Sequence, residues 1–242
     1  MTELLPMPED WTRALAIVAH PDDMEYGAAA AVARWTGEGR EVAYLMVSRG
    51  EAGIDTMSPE ECAPVRDAEQ RASAAVVGVS SVEFLDHRDG VIEAGAALRR
   101  DLAAAIRRHR PELVITLNRR EYFNPGHWNS ADHRAVGESV LDAANDAGNR
   151  WIFPELAEEG LEPWGGVRWV ALAASPESTH AVDVTGTLEA GVASLLEHRA
   201  YIAALTDEDP ETYVRGFLTA FAEASGERFG TRYATTFELI NF

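Results

Sequence analysis

Arg13-Ala14-Leu15-Ala16-Ile17-Val18-Ala19 is a short, apolar, partly β-branched run that stops abruptly at His20-Pro21-Asp22-Asp23-Met24-Glu25. A run of this kind reads as a strand buried on both faces, with the polar cluster at its carboxyl end. Residues 26–37 are Ala-rich and end on Gly37, a helix with its stop signal. Residues 41–48 (EVAYLMVS) form a second strand. Together they make one βαβ unit. The alternation continues with a helix at 64–77, a strand at 82–85, a helix at 96–110 and a strand at 112–117. The fold class is therefore α/β, a Rossmann-like, mostly parallel sheet with helices on both faces, whose ligands gather beyond the strand carboxyl ends.

A loop rich in Asn, Gly, Pro and aromatics follows at 118–129, then a helix at 131–147. Beyond residue 151 the rhythm changes. A stretch rich in Pro, Glu, Gly and Trp runs to Gly166, with strands at 167–173 and 180–184 after it. A helix at 187–205 is broken by the acidic residues 207–210, and a helix at 211–224 and a terminal strand at 234–240 complete the chain. No internal repeat or low-complexity linker intervenes. The organisation expected is one domain over 1–242, a core at 1–150 and a small C-terminal extension at 151–242. The loop 118–129 and the stretch 153–166 are expected to shape a pocket, since loops carry substrate choice.

With 21 Lys+Arg against 40 Asp+Glu, the 242-residue chain has a formal net charge of −19. That charge disfavours phosphate backbones and anionic membrane surfaces, and nucleic acid is not an expected partner. The acidic residues are spread along the chain, as on a well-solvated surface. Cys62 is the only cysteine, which rules out an intramolecular disulfide framework and a Cys-rich zinc site. Residues 1–13 contain Pro6, Pro8, Glu3, Glu9 and Asp10 and lack the order of a secretory signal. No window approaches the roughly 18 apolar residues of a membrane span. A cytoplasmic protein without membrane insertion is expected, and a homo-oligomer is compatible with the sequence.

His20-Pro21-Asp22-Asp23-Met24-Glu25 packs an imidazole and three carboxylates into six residues. Carboxylates so close repel unless solvated, protonated or neutralised by a cation, and imidazole with carboxylate is a zinc-type ligand set. A solvated acidic turn with an incidental His is the bland alternative. The second cluster, Ser130-Ala131-Asp132-His133, brings another imidazole to a helix start that also follows a strand, so both clusters open on the same rim of the sheet. Two imidazoles and one carboxylate would leave zinc an open position for water, as catalytic sites do.

Ala19-His20-Pro21-Asp22-Asp23-Met24-Glu25 resembles the AHPDDxE signature of the LmbE-like, or PIG-L, deacetylases, and Asp132-His133-Arg134-Ala135-Val136-Gly137 resembles their second metal motif. The resemblance extends through Ser48-Arg49-Gly50-Glu51-Ala52-Gly53, Arg66 and Asp89-Gly90, and is looser after about residue 150. It implies that His20, Asp23 and His133 hold Zn2+, although ferrous iron or another divalent ion suits the same ligands. It also implies that Asp22 is the general base and then the acid, and that Asp132 belongs to the catalytic motif. Arg66 and Asp89 become candidates for substrate contacts. The implied reaction cleaves an amide bond of a small-molecule substrate, an N-acetylated sugar or conjugate, into acetate and an amine. An amidase acting on a thiol conjugate or another N-acyl compound is the close alternative.

The second motif departs from the family. Where members commonly have His-Pro-Asp-His, this chain has Ser130-Ala131-Asp132-His133. A serine hydroxyl donates a hydrogen bond but cannot become cationic, so oxyanion stabilisation is either weaker or supplied by another donor. His127 is the nearest candidate, with Tyr122 behind it. A metal-binding member that has lost catalysis is a further alternative. A nucleotide-binding module is disfavoured, because the turn after the first strand lacks G-x-G-x-x-G and is acidic where pyrophosphate would sit.

Overall fold

The computed structural model describes residues 3–124 and 126–242. The first half runs β1 (Leu5–Pro6), β2 (Arg13–Val18), α1 (Asp23–Gly27), α2 (Ala29–Gly37), β3 (Glu41–Met46), α3 (Pro59–Val76), β4 (Ser81–Phe84), α4 (Ala96–His109) and β5 (Leu113–Leu117). The second half runs β6 (Tyr122–Asn124), β7 (His127–Trp128), α5 (Ala131–Gly148), α6 (Glu155–Glu158), β8 (Trp169–Ala173), β9 (His180–Asp183), α7 (Leu188–Leu195), α8 (Arg199–Leu205), α9 (Pro210–Phe229) and β10 (Ala234–Asn241).

The sheet is organised around β2, whose side chains alternate between two apolar layers. Ala14, Ala16 and Val18 pack with Val32 and Trp35 of α2 and Ala74 of α3. Leu15 and Ile17 pack with Leu98, Leu102 and Ile106 of α4 and Val136 and Val140 of α5. This two-sided burial is why the run is apolar at every position rather than at every second one. The strand order is β1-β9-β10-β8-β5-β2-β3-β4, parallel except for β10, which runs antiparallel to β8 and β9. The chain moves from β2 outward to β3 and β4, then returns to pair β5 on the other side of β2. The carboxyl end of β2 is thus the topological switch point, where open α/β sheets bind ligands.

The α/β class, the mostly parallel sheet and helices on both faces agree with the sequence reading, and the local departures have physical causes. The helix expected from residue 26 begins at Asp23, because Tyr26 N–H already bonds Asp22 O at 3.0 Å, and it breaks at Ala28. The helix expected from Pro64 begins at Pro59 instead, after a capping box in which Glu61 accepts the Ser58 N–H at 3.1 Å. Pro64 lies inside it at the expense of one backbone bond. The expected helix at 187–205 is interrupted at the buried His198. The loop 118–129 contains the β6–β7 hairpin, in which Tyr122 pairs with Trp128. Helix α5 approaches the end of β5 so closely that a Cβ at Gly137 would lie 2.9 Å from Leu117 O, so no larger residue fits there without a shift. Among the described residues no helix is long and apolar enough to cross a membrane.

Ile17 is wholly buried beneath α4 and α5. Ile17→Ala should lower unfolding free energy by about 2–5 kcal/mol, read as a lower urea midpoint with an unchanged slope. A loss below about 1 kcal/mol would mean that this layer does not carry the fold.

Candidate active site

Three elements bring the site together. The turn after β2 carries His20 and Asp22, α1 opens with Asp23, and the first turn of α5 carries Asp132 and His133. Ser130 caps α5, its Oγ accepting the Asp132 N–H at 3.2 Å. The His20 N–H donates to Asp23 Oδ2 at 2.8 Å, which locks the turn.

Tautomers follow from the hydrogen-bond network. His20 Nε2 faces two carboxylate oxygens, Asp89 Oδ1 at 3.0 Å and Asp132 Oδ2 at 3.2 Å, so it carries the proton and Nδ1 presents its lone pair. Asn129 donates its Nδ2 to the carbonyls of Asn118 and Arg120, at 2.7 and 2.9 Å, which leaves Oδ1 to accept Nδ1–H of His133 at 3.0 Å. His133 Nε2 is then also bare. The two unprotonated nitrogens face each other at 3.2 Å. Asp23 closes the triangle, Oδ1 at 3.0 Å from His133 Nε2 and Oδ2 at 3.6 Å from His20 Nδ1.

Such an arrangement suits a cation. Ligand atoms about 2.0–2.1 Å from a tetrahedral ion lie about 3.3 Å apart, which matches these separations. Burial opposes the His20 imidazolium, but hydrogen bonds to Asp132 and Asp23 outweigh burial and hold its pKa well above the ordinary value. A second group of ligand-type atoms, His20 with Asp89 and Asp132, fits a metal less well. Its carboxylates are already committed, Asp132 to the N–H groups of Gly90 and Ile92 at 2.7 and 3.1 Å and Asp89 to that of Ala52 at 2.8 Å. Those two carboxylates orient His20 from behind.

Asp22 adopts a left-handed backbone, φ 78°, which Asp tolerates better than most residues but at a cost. Gln70 and Arg66 of α3 hold it there. The Gln70 Oε1 accepts the Asp22 N–H at 2.9 Å, and Arg66 Nη2 donates to Asp22 Oδ2 at 2.9 Å and to Pro21 O at 2.8 Å. Arg66 is itself pressed between the Tyr201 ring, 3.8 Å from its guanidinium carbon, and the turn at Gly50. A Cβ at Gly50, where φ is 64°, would lie 3.0 Å from both Arg66 Nε and Pro21 Cδ. Burial pushes the Asp22 carboxyl up to about 6, with the Arg66 charge pulling the other way.

Several residues expected at the site have other contacts in the structure. Asp132, expected to be catalytic, is 1 % exposed behind His20 and is not among the cavity-lining residues. Arg66, expected at the substrate, is 2 % exposed and turned onto Asp22, and Asp89 is engaged with His20, although both border the cavity. Glu25 points away from His20 to Ser73 Oγ at 2.6 Å, Gln70 Nε2 at 2.9 Å and His198 Nε2 at 3.6 Å. The three crowded carboxylates therefore have separate partners: Asp23 the two imidazoles, Asp22 an arginine, and Glu25 a serine and a glutamine beside a buried histidine. Residues 153–166 do not line the cavity. Trp164 N–H bonds Ala147 O near the far end of α5, and an 18-residue helix is about 27 Å long.

A cavity of about 750 Å³ opens over the site, with His20, Asp22, Asp23, His133, His127 and Ser130 on its wall. Phe123 of the β6–β7 hairpin packs edge-on against His133, with ring centroids 5.6 Å apart. Tyr122 instead packs against Trp128. Asn129, Gln70 and Tyr201 escaped the sequence reading. Only Asn129 carried a local signal, a polar side chain four residues before His133.

The family profile described as PIG-L, GlcNAc-PI de-N-acetylase, matches residues 15–144, more than half of the chain. The diacetylchitobiose deacetylase of Thermococcus kodakarensis is 25 % identical over 226 residues, covering 91 % of this chain and 81 % of that protein. The 1D-myo-inositol 2-acetamido-2-deoxy-alpha-D-glucopyranoside deacetylase of Kineococcus radiotolerans is 28 % identical, covering 78 % and 69 %. The solved N,N'-diacetylchitobiose deacetylase of Pyrococcus horikoshii superposes with a TM-score of 0.87 at 24 % identity, over 96 % of this chain and 85 % of that one, and so shares the fold. With the matched segment spanning both histidine clusters and the strands that carry them, this chain belongs to the PIG-L (LmbE-like) de-N-acetylase family.

Proposed function

We propose that this protein is a zinc-dependent deacetylase that hydrolyses the N-acetyl amide of an amino sugar or amino-sugar conjugate. The observation that carries the reading is the inward-facing triangle of His20 Nδ1, His133 Nε2 and the Asp23 carboxylate, with Asp22 beside it on the same cavity wall. Relatives named for diacetylchitobiose and for an acetamido-glucopyranoside support the sugar.

When bound by His20, Asp23 and His133, a divalent ion supplies Lewis-acid polarisation of the amide carbonyl and of water. The remaining work belongs to the side chains. Asp22, held by Arg66, takes a proton from the attacking water as the new C–O bond forms. It returns that proton to the amine nitrogen as the C–N bond breaks, giving acetate and a free amine. His127 and Ser130 are the donors on the cavity wall for the negative charge that develops on the carbonyl oxygen. Asp89, Asp132 and Asn129 keep the ligand nitrogens turned inward.

Asp22→Asn should reduce amine release from N-acetylglucosamine and diacetylchitobiose at least ~100-fold at equal metal content. A variant retaining a tenth of wild-type turnover would remove Asp22 from the base role. Removing metal with a chelator should abolish turnover and added zinc should restore it, while Asn129→Ala should weaken zinc affinity roughly 10- to 100-fold, measured by competition with a zinc indicator. His127→Ala should lower kcat about 100-fold with KM little changed, as the loss of an oxyanion donor does. Equal kcat in variant and wild type would leave that task to Ser130 alone.

A further inference from the structure

Two arginines border the cavity, and their surroundings differ. Arg66 is committed to Asp22 Oδ2 at 2.9 Å and to Pro21 O at 2.8 Å. Arg228, in the last turn of α9, has its Nε shut off from solvent without a partner, and among the described residues its guanidinium makes no ion pair and no hydrogen bond. With 40 acidic residues against 21 Lys and Arg, the chain has carboxylates to spare, yet none meets this cation. The polar groups near it are unengaged as well. Ser225 lies one helical turn earlier on α9, Thr235 and Thr236 open β10, and none of these three hydroxyls, all on the cavity wall, forms a hydrogen bond among the described residues. A tight turn sets the two elements side by side. The N–H groups of Gly230 and Thr231 both bond Gly226 O, at 2.8 and 3.0 Å, and a Cβ at Gly226 would lie 2.6 Å from Arg232 O. Asp22, Asp23 and Asp89, by contrast, border the cavity around His20. β10 stands three strands from β2 in the sheet, about 14 Å across, so a group held at Arg228 sits well beyond an amide at Asp22. The volume of about 750 Å³ has room for both ends of such a molecule.

Building on the deacetylase reading of the same cavity, we propose that its α9–β10 end is an anion subsite, where Arg228 with Ser225, Thr235 and Thr236 receives a carboxylate or phosphate carried on the amine side of the substrate. A neutral hydroxyl can accept one bond from Nε but leaves the arginine charge uncompensated. A carboxylate or phosphate matches the planar guanidinium with two parallel bonds and pairs the charge, and hydrogen bonds to ionised groups are roughly twice as strong as neutral ones. The three hydroxyls can donate to the remaining oxygens of the anion. Charge also sets the direction of binding. The carboxylates around His20 repel an anionic group and leave the uncharged amide as the part that fits beside them.

The test compares kcat/KM for N-acetylglucosamine glycosides whose three- to six-carbon spacers end in a carboxylate, its methyl ester, a phosphate or a hydroxyl, with diacetylchitobiose as the neutral sugar. The expected result is at least a ~tenfold advantage of an anionic compound over its uncharged counterpart, the two anionic arms showing whether the subsite takes carboxylate or phosphate. Arg228→Gln should bring that ratio below about twofold, and Arg228→Lys should keep part of it, since an ammonium retains the charge but not the fork. Arg232→Gln removes an exposed charge that does not border the cavity and should keep the full ratio. Calorimetry of the corresponding glucosamine glycosides, which have no amide to cleave, reads the same ratio as affinity in the wild-type protein, so it stands even if hydrolysis fails. Equal binding of charged and uncharged compounds at every spacer length overturns the proposal, as does diacetylchitobiose outperforming every anionic compound. It also falls if Arg232→Gln lowers the ratio as much as Arg228→Gln, because the attraction is then long-range and needs no subsite.

Discussion

His20 and His133 stand 113 residues apart in the chain, yet their bare nitrogens face each other at 3.2 Å. Two lone pairs beside a buried carboxylate are unfavourable without a positive charge among them, and much of the surrounding architecture serves to hold that arrangement. β2 and β5 must be parallel neighbours for the turn after one and the helix after the other to meet, and Gly137 must be small for α5 to come close enough to the end of β5. Asp89 and Asp132 on one side and Asn129 on the other then decide which nitrogen carries each proton. Since Asp132 also clamps the N–H groups of Gly90 and Ile92, the loop after β4 is fixed to the His20–His133 cluster.

Asp22 is held under a different stress. Its left-handed backbone and buried carboxylate are both unfavourable alone, and α3 compensates for both through Gln70 on the N–H and Arg66 on the side chain. Arg66 is in turn covered by Tyr201 from α8 and backed by the Gly50 turn. The C-terminal part of the chain therefore reaches Asp22 through the Tyr201–Arg66 stack, a dependence that no local motif encodes.

The parts legible in the sequence were those with a local physical signature. Two-sided burial makes β2, β3 and β5 continuous apolar runs, and clustered His and Asp after a strand mark a ligand turn. Features set by distant partners were not legible. Nothing near Glu25 indicates that it turns away to Ser73, Gln70 and His198, because those partners lie on α3 and just before α8. The split of the expected helix at 187–205 has the same origin, since the apolar period continues through His198 while the buried imidazole sits beside Glu25. The stretch 153–166 misled for a geometric reason: it is rich in loop residues but lies at the end of α5 remote from His133.

Ser130 illustrates how one atom can satisfy two demands. As the cap of α5 it accepts the Asp132 N–H, steadying the turn that presents both Asp132 and His133. That bond uses an oxygen lone pair and leaves the hydroxyl proton free to donate into the cavity it borders. Relative to a histidine at this position, the site loses the option of a positive charge rather than a donor. In the proposed reaction that loss would fall on the carbonyl oxygen, for which His127 on the same wall is the second proposed donor. Capping thus leaves the Ser130 hydroxyl proton available for the proposed donor role, and the altered motif is compatible with a working enzyme.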